Sequence, residues 1–122
     1  MRTFVRVTSQ GRPYARFQRA IASGNADLAW IAALELQHVD LEDALALVLL
    51  VVGGHRQSAA ATRWLGRLCL ETRGLTLARA QLAADALAGL PDRAAAHALA
   101  SLCAELGLAR AAAATQRAFI DV

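Results

Sequence analysis

Ala44-Leu45-Ala46-Leu47-Val48-Leu49-Leu50-Val51-Val52 is a run of nine apolar residues between Asp43 and the pair Gly53-Gly54. A helix crossing a bilayer needs about 20 such residues, so this run reads as the heart of a soluble core. It has no polar face. A helix of this kind has to be covered on every side, and the rest of the chain must supply the cover.

The composition allows that. Of 122 residues, 30 are Ala and 20 are Leu; 57% are hydrophobic but only 5% aromatic. Ala and Leu are strong helix formers and β-branched residues are scarce, which excludes an all-β or α/β fold. The expectation is an all-α domain, a bundle or short stack of antiparallel helical hairpins. Six or seven short helices surround the apolar one. The length suits one domain, residues 12–122. Residues 1–11 lack helical periodicity and read as a flexible or draped arm.

Working outward, Pro13 suits a first helical turn, and a helix over 13–23 puts Tyr14, Phe17 and Ile21 on one stripe. Gly24 stops it and Asn25 caps the next. That second helix is expected to run to His38, burying Leu28, Ile31 and Leu34 with Trp30 beside them. Asp40 caps the apolar helix, with Asp43 completing a capping-box variant. A helix over 57–72 faces Ala61, Trp64, Leu65, Leu68, Cys69 and Thr72 inward. One starting at Thr76 buries Leu77, Ala80, Ala84 and Leu87. Another over 92–106 buries Ala95, Leu99, Leu102, Cys103 and Leu106, and a last one from Ala109 ends on Phe119 and Ile120. Gly74-Leu75, Gly89-Leu90 and Gly107-Leu108 share one expected device, a left-handed Gly followed by a Leu folding back onto the last turn. Cys69 and Cys103 read as reduced core residues of a cytoplasmic protein, and Met1–Gln10 does not read as a secretory leader.

The net charge is +3, and all 13 basic residues are Arg. They fall in blocks. Residues 1–19 hold five Arg and no acid, residues 20–54 five acids and no base, and residues 55–79 five Arg against Glu71. Arg63 and Arg67 lie one helical turn apart, with Arg56 before them and Arg73 and Arg79 after. These five, with Trp64 as a candidate anchor, form the candidate interaction or phosphate-binding surface. Arg2, Arg6, Arg12, Arg16 and Arg19 could extend it. Two simpler readings compete: a solvated face, or pairing with the acidic segment 27–43.

Other constellations carry less. Glu35-Leu36-Gln37-His38 matches the Glu-x-x-His element of helical di-metal sites, but such sites need a second copy and two further Glu; neither Glu71 nor Glu105 has a His three residues on. His97, Ser101 and Cys103 lack a converging carboxylate and oxyanion donors. Gly53-Gly54-His55 lacks the Lys-Ser/Thr ending of a phosphate loop. A helix-turn-helix reading around Ala20, Gly24 and Trp30 would face Ala26, Asp27, Leu28, Ile31 and Ala32 to the groove, and none makes the Arg–guanine or Asn/Gln–adenine pairs. No catalytic residue, metal or cofactor is therefore assigned.

Leu34-Glu35-Leu36, Val39-Asp40-Leu41, Asp43-Ala44-Leu45, Arg63-Trp64-Leu65, Leu70-Glu71 and Gly74-Leu75-Thr76-Leu77 together resemble small uncharacterised all-helical proteins of actinobacteria, over residues 17–108. The resemblance implies a bacterial cytoplasmic setting and no mechanism, and it singles out Arg63 and Trp64. The functional expectation is a non-enzymatic protein–protein interaction module, with self-association as one form of it. The alternative is nucleic-acid binding through the Arg-rich helix face and the basic arm.

Overall fold

In the computed structural model, the backbone is described for residues 2–121 and the side chains for residues 11–121. Among these residues the secondary structure is helical, with no strand: α1 (Arg2–Ser23), α2 (Ala26–Leu34), α3 (Leu41–Leu50), α4 (Gln57–Glu71), α5 (Leu77–Gly89), α6 (Arg93–Glu105) and α7 (Ala109–Phe119). The all-α fold expected from composition is what is found. The chain divides into two compact units, Met1–Asp40 and Leu41–Val122.

In the first unit α1 and α2 pack together. Gly24 takes a left-handed φ of 75°, and the Asn25 N–H donates to the Ala20 carbonyl at 3.2 Å, the wrap that closes a helix end. Asn25 then caps α2, its Oδ1 accepting the Leu28 N–H at 3.0 Å. Three expectations fail here. α1 begins at Arg2, so Pro13 lies inside it; Thr3, Val5 and Val7 look strand-like, but β-branching costs a helix only tenths of a kcal/mol and no partner strand competes. The side chains of the expected arm, Arg2 and Arg6 included, lie outside the described residues. α2 ends at Leu34, not His38: the Glu35 and Leu36 N–H groups bond three residues back, to Ala32 and Ala33, tightening the turn. And α2 buries the opposite face. Ala29 and Ala32 are inside, while Leu28, Ile31 and Leu34 are exposed.

In the second unit successive helices pack in order, α3 on α4, α4 on α5, α5 on α6 and α6 on α7, and α7 returns to α3. Leu45, Val48, Leu49 and Val51 are buried and no residue of 44–52 is exposed, as an apolar helix demands. Leu68, Leu99, Cys103 and Thr115 complete the deepest layer; the Thr115 hydroxyl is satisfied by donating to the Ala111 carbonyl at 2.9 Å. Gly74 and Gly107 take the expected positive φ, but Gly89 does not. It is the last residue of α5, and a Cβ there would come within 2.8 Å of the Ala95 Cβ. Its smallness serves the close approach of α6. Cys69 and Leu77, expected inside, are exposed.

The acids at the start of α3 act across the unit. Leu108 precedes α7 and has no side chain able to cap it. Glu42 does so from α3, its Oε2 accepting the Ala111 N–H at 2.9 Å, while Arg110 pairs with Glu42 at 3.6 Å and Asp43 at 3.1 Å. Removing the acceptor leaves the first turn of α7 without a cap. Glu42→Ala is expected to lower unfolding free energy by about 2 kcal/mol in urea titrations followed by circular dichroism. Glu42→Gln, which keeps an acceptor oxygen, recovers part of that.

Candidate functional site

The candidate arginines do not form one open stripe. Arg56 is half-buried at the residue before α4. Arg67 grips Glu71 one turn on, Nε to Oε2 at 2.7 Å and Nη2 to Oε1 at 3.4 Å. Arg79 reaches Glu105 at 3.5 Å. Arg63 and Arg73 are exposed. The acidic segment pairs too, but with other arginines: Glu35 with Arg16 at 3.2 Å, and Glu42 and Asp43 with Arg110. Two of the five candidate charges, Arg67 and Arg79, are thus met locally, in partly exposed pairs of small energetic value.

Trp64 is not on the surface. It is 2% exposed, and its indole N–H donates to the Leu41 carbonyl at 2.8 Å, which joins α4 to the first residue of α3. A side chain placed so cannot touch a partner. The core reading of this residue replaces its role as an anchor.

The weaker chemistries lose their geometry. Glu35 and His38 share no helix face, because α2 has ended before both. His97 and Ser101 are exposed on α6 while Cys103 is buried. Burial, and then the charge of Glu42, push the Cys103 thiol from 9.0 up to about 12, the reverse of what a nucleophile needs. Among the described residues no three His, Cys, Asp or Glu side chains cluster for a metal ion. No helix there is long and apolar enough to cross a membrane.

Two surface features remain. A groove of about 510 Å³ lies between α4, α5 and the turn before α4, with His55, Ser58 and Thr62 facing Leu65, Ala84 and Leu87. In the first unit a second groove of about 430 Å³ has Arg16, Arg19 and Glu35 around Ala20, Leu28 and Ile31. Six large apolar side chains are also exposed, Leu28, Ile31, Leu34, Leu70, Leu77 and Leu82, each between 54% and 88%. Leu70 was legible, since it follows Arg63 by seven residues and so shares its outward face. The α2 residues were not, because a helix apolar all round offers no stripe by which to choose a face. Comparison of the chain with protein-family models, with curated proteins and with solved structures gives no match.

Proposed function

We propose that this chain is a non-enzymatic protein–protein interaction module working in a reducing, cytoplasmic setting. One observation carries the reading: six large aliphatic side chains stand more than half exposed while Ala fills much of the buried space. Scattered exposed apolar residues are ordinary. On α2, however, Leu28, Ile31 and Leu34 lie outward while Ala29 and Ala32 lie inward, as a covered surface requires. The free thiols of Cys69 and Cys103 suit a compartment that keeps cysteines reduced. Local pairing of Arg67 and Arg79 argues against phosphate as the partner.

The test is site-specific photo-crosslinking of the full chain in bacterial extract, with the reactive group at Leu70, at Leu77 or at the exposed polar position Gln116 on α7. The expected result is a discrete adduct from Leu70 and Leu77 that is missing from Gln116. The same smear from all three positions would overturn the reading. So would steeply salt-dependent binding to random duplex DNA, which would move the function to nucleic acid.

A further inference from the structure

Two glycines lie inside helices of the second unit, and only one has a use there. A Cβ at Gly89 would strike the Ala95 Cβ at 2.8 Å, whereas one at Gly66 meets nothing within 4 Å. Gly66 is exposed in the body of α4 and its φ is not positive. Glycine is a poorer helix former than alanine, and nothing inside the chain requires its smallness at this position. At about 100° per residue, Thr62, Arg63, Gly66 and Leu70 share one sector of α4, opposite Trp64 and Leu68. All four are exposed, and Leu70 at the end of the sector stands 88% exposed.

Charge names the partner. Arg67 and Arg79 are met by Glu71 and Glu105. Arg63, on this face, and Arg73, just beyond the end of α4, are exposed, and neither has a carboxylate partner among the described residues. Leu70 stands between them in the chain. A phosphate backbone laid across both arginines would press its charges on this leucine and on the Glu71 carboxylate. A helix whose apolar row is edged by Asp or Glu suits the leucine and the arginines together. Gly66 lets such a helix come close, because the side chains at a crossing set the distance between helix axes. Gly89 already serves α6 in that way.

We propose that the outward face of α4 docks an acidic amphipathic helix of another protein, which crosses at Gly66, covers Leu70 and sets carboxylates against Arg63 and Arg73. This rests on the reading of the chain as an interaction module and names the chemistry of one partner.

A display library of amphipathic helical peptides, varied among Glu, Gln and Lys beside the apolar row, tests it. The immobilised full chain is expected to enrich peptides with Glu at those positions, and a chain carrying Arg63→Glu and Arg73→Glu to enrich Lys instead. Gly66→Leu is expected to bind the best wild-type peptide at least tenfold more weakly by fluorescence anisotropy. Its urea midpoint should rise, since leucine is the better helix former and nothing obstructs it; Gly66→Gln serves if the leucine variant aggregates. Arg93→Glu, at the start of α6, leaves binding unchanged. Enrichment indifferent to charge, a doubly reversed chain that still selects Glu, or a Gly66→Leu chain that binds as wild type does would overturn the proposal. So would a library from which nothing is enriched; if Leu70 and Leu77 still give their discrete adduct, that failure leaves the module reading standing.

Discussion

Trp64→Ala should lower the unfolding free energy by about 3–5 kcal/mol, the usual cost of deleting a buried large aromatic. The side chain is 2% exposed on α4, so its loss leaves a cavity next to α3 that Ala60 and Leu68 cannot fill without moving the helix. It also removes the indole N–H that reaches the Leu41 carbonyl, a buried hydrogen bond worth about 1 kcal/mol net. Trp64→Phe separates the two effects, retaining much of the volume but not the donor, and should fall well short of the alanine loss. Urea titration followed by circular dichroism at the helix band gives both numbers. Arg63→Ala, next to it and exposed, should stay within about 0.5 kcal/mol of wild type. A Trp64→Ala loss no larger than that of Arg63→Ala would show that the ring does not lie between the helices.

The same residue shows where sequence reading succeeds and where it stops. Trp64 and Leu68 are spaced by four and bury together, so the inward stripe of α4 was readable. Cys69 beside them was assigned to that stripe and lies outside, because its helical angle is marginal and only the neighbours decide. Helix ends were legible where local chemistry suffices: Gly24, Gly74 and Gly107 all take positive φ, and Asn25 and Thr76 both cap with their side chains. Gly89-Leu90 carries the same letters for a different reason, a close approach to Ala95 from the next helix. Ion pairs divide likewise. Arg67 to Glu71 is an i,i+4 pair written in the sequence; Arg110 to Asp43 spans 67 residues and follows only from α7 returning to α3. The face of α2 was the largest miss. With eight apolar residues in nine, what decides is size: alanines let α1 approach closely, so the leucines turn outward.

Raising the pH above 9 should destabilise the second unit through Cys103 alone. The thiol is buried on α6, and burial together with the nearby Glu42 charge holds it protonated to about 12, against 9.0 for an exposed thiol. The folded state therefore keeps a proton that the unfolded chain has released. Stability is full below 9 and falls as pH rises towards 12, by about a factor of ten in the folding equilibrium constant per pH unit. Urea midpoints at pH 8, 9, 10 and 11 measure the slope, and Cys103→Ala, lacking the thiol, should lose this part of it. Glu42→Gln removes the charge that adds to burial and should narrow the window from its upper end. The same burial predicts the labelling pattern at pH 8. Iodoacetamide should modify exposed Cys69 in the native chain and reach Cys103 only in urea, so two native thiols labelling at one rate would contradict the placement of α6 against α5 and α7.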